Sequence, residues 1–80
     1  MRPAVTISLE DAPLRRPLMI SNSASDPVAA GRLSSLGWRL GVPLLVLAKA
    51  AGGARVVDLG GSRVAIGHAL AGQLQVELVG

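Results

Sequence analysis

"ARVVDLGGSRVAIG", residues 54–67, decides the fold class of this chain. Successive side chains of an extended segment point to opposite faces, so Val57 and Leu59 share one face, as do Val64 and Ile66. Between the two runs stands Gly60-Gly61. Two adjacent glycines can both take φ > 0, which a two-residue turn of the type I′ class requires. The stretch reads as a β-hairpin.

Working upstream, "LSSLGWRLGVPLLVL" at 33–47 carries Trp38, the single aromatic residue of the chain. It reads as a helix that ends, a corner and a strand that begins. Asp26-Pro27 is the helix start, with a carboxylate to accept backbone N–H groups and Pro at the first helical position. Val28, Ala29, Leu33 and Leu36 recur at helical spacing, so the helix is placed at Pro27 to Leu36, with Gly37 as its stop. Gly31 weakens it by about 1 kcal/mol relative to Ala. A strand follows from Val42 to Lys49, with Gly41 in the corner and Pro43 at the entrance. "PLMIS", Pro17 to Ser21, is a first strand, with Pro17 permitted at its opening. Residues 1–16 read as an extended arm and a turn, weakly ordered at the start.

Downstream, "HALAG" is short and is placed as one helical turn. "QLQVELV" alternates strictly, with Leu74, Val76 and Leu78 inward, and makes a last strand. The whole is mainly β with one short helix: a small closed or nearly closed barrel of about five strands. Closure would remove edges that a sheet this small would otherwise present to solvent.

Eighty residues bound this to one small domain, which buries about 60% of the surface its unfolded chain exposes. There is no Cys, which excludes disulfides and thiolate metal sites. Half the residues are hydrophobic, so the core is built of Leu, Val, Ile and Ala, and a partner or second copy would help it. A net charge of +3, spread over Arg15-Arg16, Arg32, Arg39, Arg55 and Arg63, is too small and scattered to indicate nucleic acid. The longest apolar stretch, Val42 to Ala48, falls short of a membrane span, and the first residues lack the apolar core of a signal peptide. The expected location is cytoplasmic.

The residues that could carry chemistry are few. His68 is the lone His, with no Cys and no carboxylate near it in sequence, so it cannot hold a transition metal by itself; it could add to a site shared between copies. Gly52-Gly53 and Gly60-Gly61 lack phosphate-loop spacing and are turns. Ser62 has no candidate base, and no catalytic constellation or cofactor site is expected. What is left is binding. Trp38 either fills the core or serves as an anchor beside Arg39, since Trp and Arg dominate binding hot spots. Leu45 and Leu47 alternate with Leu44 and Val46, so one pair is covered by another element or by a partner. Trp38, Arg39 and Leu45 are the candidate partner-binding residues.

Three places resemble the FeoA family of small cytosolic proteins associated with bacterial ferrous iron transport: "RLSSLGWRLGVPLLVL" at 32–47, "VVDLGGSRVAIG" at 56–67, and the alanine-rich turn at 69–71 before the closing strand at 74–79. Leu40 stands where that family usually has Pro. The resemblance implies an SH3-like barrel over 17–80, preceded by the arm and turn at 1–16. It further implies a non-catalytic accessory protein that docks on the GTP-binding region of the membrane iron transporter, without inserting in the membrane. Self-association is compatible with it. The alternatives are a metal-regulator-type SH3-like interaction domain acting in trans and a small nucleic-acid-binding barrel.

Overall fold

The hairpin forms as the glycine pair dictates. In the computed structural model, which describes residues 5–79, Gly60 and Gly61 have φ of 61° and 94° and join β4 (Arg55–Leu59) to β5 (Ser62–Ile66). Val57 and Leu59 are buried, as is Ile66. Upstream lie β1 (Val5–Ser8), a 3₁₀ turn at Leu9–Asp11, β2 (Leu18–Ile20), α1 (Pro27–Ser35) and β3 (Pro43–Lys49). A second 3₁₀ turn at Ala51–Gly53 leads into β4, and α2 (His68–Gln73) and β6 (Gln75–Leu78) follow β5.

Local chemistry sets the ends of α1. Asp26 Oδ2 accepts from the Ala29 N–H at 3.1 Å, capping the N-terminus. At the other end Gly37 takes φ 104°, the Gly37 N–H donates to the Ser34 carbonyl at 3.1 Å, and the Trp38 N–H to the Leu33 carbonyl at 2.9 Å. This pair of bonds is a Schellman stop, in which the residue after the glycine packs back on the helix. Trp38 and Leu33 accordingly belong to one core cluster.

The strands form one antiparallel sheet in the order β1-β6-β2-β3-β4-β5. It curls without closing: β1 and β5 end the order and do not pair with each other. The expected mainly β barrel with one short helix is the fold observed, and of the two forms expected for it the fully closed one is not adopted. The expected helical turn after β5 is a six-residue helix, α2, capped by Gly67.

The sixth strand comes from the segment read as an arm. Val5–Ser8 pairs with Leu78–Gln75, and Leu9, immediately after, is fully buried. The weakly ordered start expected for that segment falls on residues 1–4, outside the described residues. A β-bulge in β3, between Val46 and Ala48, further ties this segment down: the Arg15 N–H donates to the Val46 carbonyl at 2.8 Å. Leu9, Leu18, Trp38, Val46, Val57 and Val76 form the centre of an aliphatic core with one indole in it.

Candidate protein-binding surface

Trp38 is 2% exposed. Its Nε1–H donates to the Asn22 carbonyl at 2.7 Å, so the indole's one polar atom is satisfied inside the protein. Of its two readings the geometry gives the core one. As an exposed anchor Trp38 is withdrawn, because a Schellman stop turns the residue after Gly37 inward.

The residues after Trp38 are on the surface. Arg39 is exposed, and Leu40 is 71% exposed, the most open large apolar side chain among the described residues. The corner closes with Gly41 at φ 81°, its N–H donating to the Ile20 carbonyl at 2.9 Å, and a Val42 N–H bond to the Arg39 carbonyl at 3.1 Å. Arg39 and Leu40 are thus presented on a fixed turn at the entrance to β3.

Along β3 the alternation is clean. Leu44 and Val46 are buried, while Pro43 is exposed and Leu45 and Leu47 are half-buried on the outer face. Leu45 sits in a shallow depression with Pro17, Pro43, Gly60 and Gly61, and Asp58, its cross-strand partner, is on the wall. Met19, on the outer face of β2, lies opposite Pro43 and adds to the apolar strip. Leu45 is therefore partly covered by the fold and partly open. Of the three candidate residues, Leu45 lies in this strip, Arg39 is exposed on the turn that precedes it in the chain, and Trp38 belongs to the core.

His68 does have a carboxylate near it. The 3₁₀ turn after β1 brings Glu10 to it, with Oε2 3.3 Å from His68 Nδ1. That corrects the reading of an isolated imidazole, although one carboxylate and one imidazole do not complete a metal-binding set. Among the described residues no three metal-ligating side chains come together. Arg55 turns inward, its guanidinium donating to the carbonyls of Gly53 at 2.6 Å and Glu10 at 2.7 Å. It serves to hold the two 3₁₀ turns together and is not part of a surface patch. No helix among the described residues is long and apolar enough to cross a membrane.

Sequence reasoning missed Asn22, Glu10 and the exposed Leu40. Asn22 is a junction: besides Trp38 it receives the Gln75 N–H on Oδ1 at 2.6 Å and donates Nδ2 to the Gln73 carbonyl at 3.3 Å. The available signal was chemical, since Asn offers donor and acceptor on one short side chain. It stands in "SNSASDP", which reads as a loop and nothing more.

A family model described as the FeoA domain matches residues 7–78. No curated protein matches the sequence. Among solved structures, an iron uptake regulatory protein (FeoA) is 27% identical, with 94% of this chain and all of that one covered, at a TM-score of 0.83. The FeoA of Stenotrophomonas maltophilia, solved with zinc and described as a prokaryotic SH3 domain protein suggested to activate ferrous iron transport, is 25% identical over 88% of each chain, TM-score 0.70. A manganese-dependent transcriptional repressor shares the fold at 21% identity and TM-score 0.83, over 98% of this chain and 44% of its own.

Proposed function

This chain belongs to the FeoA domain family, and from that premise we propose that it is a non-catalytic, cytoplasmic accessory protein of ferrous iron transport. It acts by contact with the GTP-binding region of the membrane iron transporter. The observation that carries the contact is the apolar strip of Met19, Pro43 and Leu45 on an outer strand face, with Arg39 and Leu40 exposed on the turn that leads into β3. Large apolar side chains gathered on one outer face, beside an arginine, have the composition of a binding surface. Arg39 and Leu45 are its partner-binding residues; Trp38 supports the corner from within. No metal or cofactor is required by this reading.

The SH3-like likeness to a manganese-dependent repressor supports the alternative of a regulatory domain working in trans. The nucleic-acid reading loses its one candidate stacking residue with Trp38 buried, since single-stranded binding rests on exposed aromatics.

The absence of Cys gives a clean assay. A fluorophore on Ser62→Cys, next to the depression, is titrated with the transporter's cytosolic GTP-binding domain. A saturable change is expected, weakened at least about tenfold by Leu45→Lys, which removes the apolar side chain and places a cation opposite Asp58. Unchanged binding by folded Leu45→Lys and Arg39→Glu proteins would mean that the surface is wrong.

A further inference from the structure

β5 is an end strand, and only one of its edges is paired. In a two-residue type I′ hairpin the residues flanking the turn form a hydrogen-bonded pair, and bonded and unbonded pairs then alternate. Leu59 and Ser62 flank the turn here, so Ser62, Val64 and Ile66 exchange bonds with β4. Arg63 and Ala65 aim their N–H and C=O groups the other way. Both residues are exposed, and no backbone partner meets those groups among the described residues.

The ground beside that edge is a groove. Residues of α1 and β5 line it together with Asp26, Gly67 and Leu70, and Gly37, just past the helix, approaches Leu59 of β4. The groove has Ala29 and Leu36 on the helix side, Val64 and Ile66 on the strand side, and Leu70 at one end. Leu36 is 47% exposed and Val28 64% exposed on its rim. Arg32 lies on the helix wall and Arg63 on the edge strand, while Asp26, at the far end, is engaged in capping α1.

We propose that the β5 edge and the α1 groove together take an extended peptide segment of another protein as an added strand, with apolar side chains alternating with carboxylates. Unpaired edge N–H and C=O groups select an extended backbone. Alternation follows from the pleat: every second side chain of an added strand enters the apolar groove, and those between lie on the outer face beside Arg63. Arg63 selects acidic residues there: Asp58, opposite it on β4, accepts the Gly61 N–H, and no ion pair joins Asp58 to Arg63. A second copy of this chain is a poorer occupant, because two-fold pairing through β5 brings the Arg63 side chains of both copies to one face of one seam. This surface is separate from the Leu45 strip, and its test does not depend on the transporter.

The probe is a synthetic peptide of alternating Val and Glu, titrated into the isotope-labelled protein and followed by amide NMR and hydrogen exchange. Expected are shifts confined to β5, Gly67 and α1, and slowed exchange of the Arg63 and Ala65 amides. A matching peptide of Val and Lys should bind at least about tenfold more weakly. Ala65→Pro deletes one outward N–H without touching the β4 ladder, and should weaken binding by about tenfold or more. Should that variant not fold, Leu36→Asp on the exposed rim serves in its place. No binding of the Val–Glu peptide, equal binding of the Lys peptide, undiminished binding by the folded variant, or shifts centred on Leu45 would each overturn the proposal. So would wild-type dimers, seen in sedimentation, that Ala65→Pro abolishes.

Discussion

Trp38 and Asn22 are joined by one hydrogen bond of 2.7 Å, from the indole N–H to the Asn22 carbonyl. It connects the corner after α1 to the loop after β2, and the Asn22 side chain carries the connection on to Gln73 and Gln75 at the start of β6. Three segments distant in sequence thus meet through one asparagine.

Replacing Asn22 by Ala leaves the Gln75 N–H without its acceptor. This bond is exposed to water, so a loss of about 0.5–1.5 kcal/mol is expected. For a domain of this size the melting temperature falls by about 4–8 °C for each kcal/mol. Thermal melts of Asn22→Ala and Trp38→Phe should both show it, the second by stranding the Asn22 carbonyl; unchanged melting in both would mean that the junction is idle.

Leu9 tests whether the N-terminal segment belongs to the core. It is fully buried directly after β1, and truncation of such a leucine costs about 2–5 kcal/mol. Total stability for a chain this long is only about 4–12 kcal/mol. Leu9→Ala should therefore lower the urea midpoint severely. A shift no larger than that of a surface variant would show that residues before β2 only lean on the barrel.

Arg15 is the sole residue other than glycine with positive φ among the described residues, at 57°. The left-handed region costs an ordinary L-residue roughly 1–2 kcal/mol, while glycine enters it freely but loses more backbone entropy on folding. Arg15→Gly is expected to stabilise by about 0.5–1 kcal/mol net, read as a rise in melting temperature. Arg15→Val should do the reverse.

Gly53 packs under His68. At φ 81° its missing side chain leaves room for the ring: an added Cβ would stand 2.8 Å from His68 Nδ1 and 3.2 Å from its Cβ. Gly53→Ala should push His68 off Glu10 and destabilise the protein by about 1–3 kcal/mol. Loss of the Glu10–His68 contact is observable by NMR of the ring.

Arg39 stands exposed on the turn that leads into the proposed docking strip. Arg39→Glu should slow association with the GTP-binding domain and flatten its salt dependence, with a smaller effect on dissociation. Stopped-flow rates at two ionic strengths separate it from Leu45→Lys, which should act on dissociation.

What the sequence makes legible here is local. The hairpin was readable because Gly60-Gly61 and the alternation around it lie within one short stretch, and so were the ends of α1, set by Asp26, Pro27 and Gly37. The buried Trp38 was one of two readings, and the geometry of the helix stop chooses between them. β1 was not legible as part of the sheet: "VTIS" is short, Val5 is exposed, and its partner lies at the opposite end of the chain. Glu10 beside His68 was hidden for the same reason. The β5–α1 groove arises from the way a helix and an edge strand come to lie side by side, which neither periodicity records.

The pairing of β1 with β6 has a consequence for synthesis. A strand near the beginning of the chain finds its partner only in one near the end, so the sheet cannot assemble stepwise as the polypeptide leaves the ribosome. The hairpin of β4 and β5 can form early, but Leu9 stays in water until β6 has emerged. Until then the sheet is incomplete and a core leucine is uncovered, so the β6 segment decides whether the rest becomes a domain.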